Sequence, residues 1–205
     1  MSLLTTWGYS LTDVDTIPDM MTLEEYKTMT GRNDDSARVG AEITAACSAI
    51  RNFVGWHLAP SLACELMTIG SDRRITRTHG DLMIQLPARY VTEVTSVTVG
   101  GVEYGSYFAD SNGILRVFNV PFVNRDDMII VEYVAGISDA MIAPIKELIA
   151  HRVTHAIAVP AGITSEASGG VSVTYNATWI NNSRATALAG DNKELLVPYK
   201  VQGVY

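Results

Sequence analysis

SARVGAEITAACSAIRNFVGW, residues Ser36 to Trp56, is the stretch on which the fold reading turns. Val39, Ile43, Ala46, Cys47, Ile50, Phe53, Val54 and His57 recur at steps of three and four, which puts them on one face of a long helix starting near Asp35 or Ser36. Ala41, Ala45 and Ala49 line its flank, where small side chains let another helix approach closely, from the same fold or from a neighbouring subunit. Pro60 is expected to end the helix, because the residue before proline avoids the α region. Upstream, Thr22 and Glu25 form a capping-box pattern for a short helix that Gly31 closes. Residues Met1 to Met21 show no sustained period and read as an extended arm or irregular lead-in.

Past Pro60 the period changes. Leu82–Leu86, Val91–Val99, Val102–Phe108, Ile114–Phe118 and Met128–Val134 read as strands, with Gly100-Gly101 and Asn112-Gly113 as hairpin turns. They predict a small antiparallel sheet of about four to six strands. Asp139 then caps a helix running to Val159, in which Pro144 is tolerated if it lies in the first turn. Met141, Ile142, Ile145, Leu148, Ile149, Val153, Ala156, Ile157 and Val159 cover nearly its whole circumference, so burial on most sides is expected. Pro160-Ala161-Gly162 stops it. A polar loop leads through Gly169-Gly170 into the alternating run Val171 to Tyr175; beyond Asn181-Asn182 come a last helix, Ser183 to Ala189 or Leu196, and an extended tail, Val197 to Tyr205. The fold class predicted is α+β, a helical scaffold interrupted by a small antiparallel β-sheet insert. Its parts are an N-terminal arm with helices over 1–60, the insert over 61–136, and the apolar helix, strand-like segment and C-terminal tail over 137–205.

At 205 residues the chain suits one elaborated domain or two small ones. It is 47% hydrophobic and 18% charged with mean hydropathy +0.14, more apolar than an ordinary soluble monomer, so part of its surface is expected to face a partner. A net charge of −7 speaks against gripping nucleic acid by phosphate neutralisation. The excess is concentrated early: Asp13, Asp15, Asp19, Glu24, Glu25, Asp34 and Asp35 face only Lys27 and Arg32 within the first 35 residues. Cys47 and Cys64 form no CxxC or framework pattern and read as buried thiols in a reducing compartment. No apolar stretch approaches the ~18 residues that span a bilayer, and no membrane partner is expected.

Signs of catalytic chemistry are weak. His151 and His155 have a two-ligand spacing, but Arg152-Val153-Thr154 lies between them, the glutamate of an HExxH site is absent and no third ligand is evident. His57 reads as a helix C-terminal cap and His79 as exposed in a polar loop. Neither a nucleophile elbow nor a phosphate-cradling glycine loop is present, and Asp126-Asp127 is ordinary turn chemistry. No cofactor or metal and no catalytic residue is assigned. Trp56 reads as core; Trp179 and Tyr175, flanked by polar residues, read as contact surface.

Several stretches, taken in order, resemble the larger, β-inserted head–tail connector (adaptor) proteins of tailed bacteriophages. They are Ala49 to Pro60, Leu86-Pro87, Val91 to Val97, Gly113 to Arg116, Val131 to Gly136, then Pro160-Ala161-Gly162, Ser165-Glu166, Gly169-Gly170, Val171 to Tyr175 and Tyr199-Lys200-Val201. The resemblance implies a structural, non-enzymatic virion protein at the capsid–tail junction, assembled in the host cytoplasm. It implies a homo-oligomeric ring of about twelve copies beneath the portal protein, with a stopper or tail protein on its other face and DNA passing through unbound. It assigns portal docking to the tail, with Leu195, Leu196, Val197, Pro198, Tyr199, Val201 and Tyr205 as contacts. It assigns inter-subunit or partner contacts to Val171, Val173 and Tyr175, to which Trp179 is added by its polar-flanked setting. Acidic walls would keep DNA mobile, and Asp13, Asp15, Asp19, Glu24 and Glu25 are the candidates to line the channel. The alternatives are a head-completion stopper or tail-terminator protein, a metal-dependent hydrolase using His151 and His155, and a ligand-binding domain.

Overall fold

The computed structural model describes residues 2–78, 80–158, 165–168, 171–174 and 191–201, and the chain divides into two compact units. One comprises residues Met1–Pro18, Val54–Ser138 and Tyr199–Tyr205; the other comprises Asp19–Phe53 and Asp139–Pro198.

The first unit is built on two antiparallel sheets. Strands β1 (Ser2–Leu4), β2 (Ser10–Thr12), β3 (Leu62–Ile69), β6 (Val91–Val99), β7 (Val102–Glu103) and β10 (Met128–Ala135) form a six-stranded sheet in the order β1-β2-β3-β10-β6-β7. β4 (Ile75–Thr78), β5 (Asp81–Gln85), β8 (Tyr107–Ala109) and β9 (Ile114–Val117) form a four-stranded sheet in the order β4-β5-β9-β8. Register follows side-chain alternation. Opposite residues share a face, so Leu66, Val131 and Val97 form one buried row and Thr68, Ile129 and Val99 the next. In the second sheet Leu82 faces Val117 and Ile84 faces Leu115, all four with no exposed surface. Each such side chain contributes about 1.5–3 kcal/mol relative to exposure.

The second unit carries the helices. α1 (Leu23–Thr30) has the reciprocal Thr22–Glu25 capping box and closes on Gly31 in the left-handed region, as the sequence predicts. α2 (Ser36–Val54) buries Val39, Ile43, Ala46, Cys47 and Ile50. α3 spans Asp139–Ala158. Tyr26 Oη lies 3.2 Å from Thr154 Oγ1, Lys146 Nζ donates to Glu25 at 2.6 Å, and an Arg38 Nη donates to the Ala156 carbonyl at 3.1 Å. β11 (Ser165–Ser168) and β12 (Val171–Thr174) pair as a two-stranded hairpin, and α4 (Asp191–Leu196) runs into a 3₁₀ turn, Val197–Tyr199.

A helical scaffold with a small β insert is therefore not the architecture. Ten strands in two sheets of six and four, β1 and β2 from the N-terminal arm among them, are far more than a small insert, and helices are confined to the four elements named among the described residues. The arm read as irregular supplies β1 and β2; at three residues each they are too short for a period to register. Val102–Phe108 is two short strands in different sheets, parted by Gly105-Ser106. α2 stops at Val54, where Gly55 adopts φ +82°, rather than at Pro60. Pro144 stands at the sixth residue of α3, deeper than the first turn, and leaves one helix carbonyl without its amide. α3 buries Ile142, Ile145, Leu148, Ile149, Ala150 and Val153 and leaves a single stripe, Ala140, Ala143, Pro144, Glu147 and His151, exposed, so it is covered on most sides as its apolar circumference predicts. The tail expected to be extended begins as the 3₁₀ turn.

Candidate docking surfaces

A row of aromatic rings ties both ends of the chain into the first unit. Trp7 stacks on Tyr9 with centroids 6.2 Å apart, Tyr9 meets His57 at 5.9 Å, His57 meets Trp56 edge-on at 5.3 Å, Trp56 stacks on Tyr90 at 6.3 Å and Tyr90 meets Tyr199 at 6.0 Å. His57 is fully buried, which corrects the helix-cap reading. Its Nε2 lies 2.8 Å from the Ala135 carbonyl and so carries the hydrogen; Nδ1 then accepts from Tyr9 Oη at 2.7 Å, while Tyr9 Oη accepts the His57 amide at 3.1 Å. Two local signals were available, a histidine following Trp56 and an aromatic pair at Trp7 and Tyr9, but their partnership spans 48 residues.

This row receives the start of the predicted docking tail. Trp56 Nε1 donates to the Tyr199 carbonyl at 2.8 Å, the Val201 amide donates to the Val54 carbonyl at 2.9 Å, and Arg89 reaches both the Lys200 carbonyl and Asn112 Oδ1. Tyr199 and Val201 are half-buried. Leu196 has no exposed surface, whereas Leu195, Val197 and Pro198 are open to solvent. Tyr205 lies outside the described residues. Of the contacts assigned after α3, Val171 and Val173 fall on β12, opposite Ser168 and Glu166; Tyr175 and Trp179 lie outside the described residues.

Asp13, Asp15, Asp19 and Glu24 are exposed. Asp19 accepts from Thr44 Oγ1 at 2.7 Å and Glu24 pairs with Lys27 at 3.4 Å. Glu25 is taken up by the fold, because Lys146 at 2.6 Å, with the Thr22 amide, lowers its carboxyl below the usual range. His151 is exposed and His155 half-buried on α3, and no group of three His, Cys, Asp or Glu among the described residues is placed to hold a metal. Burial pushes the Cys47 and Cys64 thiols up to about 11 and 12, making both inert structural thiols. His79 lies outside the described residues.

A model of the family described as head completion protein matches residues 19–183, most of the chain. The chain belongs to the head completion protein family. No curated protein matches it. As a head completion protein it is a structural component of a bacteriophage virion, acting near the capsid among head and tail components. The segments quoted for the connector resemblance overlap the matched span except at Tyr199-Lys200-Val201.

Proposed function

We propose that this head completion protein is the head–tail connector that assembles as a ring of about twelve copies under the portal, extends the DNA channel, and seats the tail-side component. The single observation that carries this, beyond the family match, is on α2. Ala37, Ala41, Ala45 and Ser48 form an exposed strip of small side chains opposite the buried face, a surface that another helix can approach closely. Exposed Ala140 and Ala143 on α3 add a second such surface. Exposed Asp13, Asp15, Asp19 and Glu24 are the channel-lining candidates, since repulsion of phosphates keeps a duplex mobile. Leu195, Val197 and Pro198, with Tyr205, are the tail residues offered to the portal, while Leu196, Tyr199 and Val201 anchor the segment. Val171, Val173, Tyr175 and Trp179 are offered to sibling subunits or partners.

Purified chain mixed with portal-bearing heads and imaged by electron microscopy tests this: a ring beneath the portal is expected. A large residue at the strip, Ala41→Trp, should prevent the ring while leaving the thermal melt unchanged; unaltered rings would rule out α2 as the contact. A head-completion stopper is the second reading, favoured by the family description itself. It predicts attachment only after another protein occupies the portal.

A further inference from the structure

We infer that the outer face of the six-stranded sheet, at the end formed by Ile69 and Met128, docks a tail-side virion protein whose contact surface combines apolar side chains with Lys or Arg. The inference rests on the connector reading for the partner's place in the virion; the chemistry of the face comes from the sheet itself. On that face Met128 sits opposite Ile69, and Ile130 opposite Met67. Met67, Ile69 and Met128 are 55%, 47% and 49% exposed, although they belong to strands whose other face is packed. β10 reads Met128-Ile129-Ile130-Val131, apolar at both parities, the pattern of a strand covered on both sides. Among the described residues only one side is covered. An apolar cluster of this kind marks an interaction surface.

The cluster sits on a firm base. Gly70 donates to the Asp127 carbonyl, Ser71 to the Arg125 carbonyl and Gly100 to the Met128 carbonyl, each at 2.9 Å, so three loops are tied together at this end. Between buried Val120 and Val123 the same loop presents Phe122, 70% exposed. Anchors held this way lose little freedom on binding.

Charge selects the occupant. The six strands carry Glu65, Glu93, Glu103 and Glu132 and not one Lys or Arg. Glu65 and Glu132 are direct cross-strand neighbours, an arrangement that costs the isolated subunit stability and that a cation from outside would relieve. A sibling copy is a poor source of that cation. Its net charge is −7, and five of its fifteen Lys and Arg, Lys27, Arg32, Arg74, Arg116 and Lys146, are already paired with carboxylates, so two copies meeting face a net repulsion. DNA is repelled by the same carboxylates. Location agrees: strands β3 and β10 run about 23 Å from the Leu62–Ala135 end, next to the aromatic row that holds Tyr199, to the Ile69–Met128 end. Within this unit Tyr199 and the apolar cluster thus lie toward opposite ends of these strands.

The test uses portal-bearing heads that lack this chain, full-length chain as wild type or variant, and purified tails, with joined particles counted by electron microscopy. Met67→Asp with Met128→Asp, and separately Glu65→Lys with Glu132→Lys, should bind heads as wild type does, melt at wild-type temperature, and cut tail joining by about tenfold or more. The charge variant keeps the test decisive should the aspartate variant fold poorly. Normal joining by both variants overturns the inference, and so does loss of head binding or ring formation, which would place the face against the portal or a sibling. Wild-type chain that binds no heads overturns the connector reading instead, and with it the partner's identity.

Discussion

At the scale of single residues, the buried polar groups define where the chain is least tolerant. Tyr9→Phe removes the hydroxyl that both gives to and takes from His57, leaving a ring nitrogen and an amide buried without that partner; a loss of about 1–3 kcal/mol is expected by urea denaturation. Asp72, half-buried, is a second centre. Arg74, first through its guanidinium and then its amide, with Thr68 Oγ1, holds the Asp72 carboxyl far below the usual carboxylate range. Because the folded value is depressed, the stabilisation is complete above the unfolded pKa of about 3.9 and fades as pH falls below it. Melting followed from about pH 5 down to about pH 2 should show that fall, and Asp72→Asn should reduce it while lowering neutral stability by about 1.5–3 kcal/mol.

At the scale of elements, the turns and the sheet faces carry the sharpest expectations. Gly113 has φ +81°, and a Cβ there would sit 2.1 Å from the Ala88 carbonyl oxygen. Gly113→Ala is therefore expected to destabilise by at least about 2 kcal/mol, visible as a lowered melting midpoint. Glu65→Lys places opposite charges across β3 and β10 and should raise subunit stability by about 0.2–1 kcal/mol while weakening tail joining, a trade that equilibrium unfolding and particle counting measure together. Elements with a long or sharply punctuated signal were legible in the sequence. The α1 capping box, the body of α2, the β6 run and the Gly100-Gly101 turn, both glycines at positive φ, all appear where the pattern put them. What was not legible was anything set by distant pairing: three-residue strands joining an edge, a histidine satisfied by Tyr9, and the division of the strands into two sheets of six and four that displaced the helical scaffold. The docking cluster was half-visible, since Met128 to Val131 shows that both faces want cover but not which one lacks it.

At the scale of the whole molecule, the chain passes between its two units at Pro18/Asp19, Phe53/Val54, Ser138/Asp139 and Pro198/Tyr199. Neither unit is a continuous segment. A fragment spanning 54–138 lacks β1 and β2, the Tyr9 partner of His57, and the Tyr199 carbonyl that takes the Trp56 hydrogen bond. The same logic makes removal of residues 195–205 a blunt test of docking, because it strips an internal anchor as well as the exposed Leu195 and Val197. Leu195→Asp with Val197→Asp isolates the contact: head binding should be lost with the melting curve unchanged, and retained binding would move portal docking elsewhere.

The aromatic row also makes the protein its own reporter. Trp56 is shielded from water, and its indole hydrogen is held by the very segment proposed to sit beside the portal. In a Trp179→Phe background, emission would come from Trp7 and Trp56 alone, both within that row. Displacement of the terminal residues during assembly would hydrate the indole and shift its fluorescence to the red, letting attachment to heads be timed in a cuvette without any label.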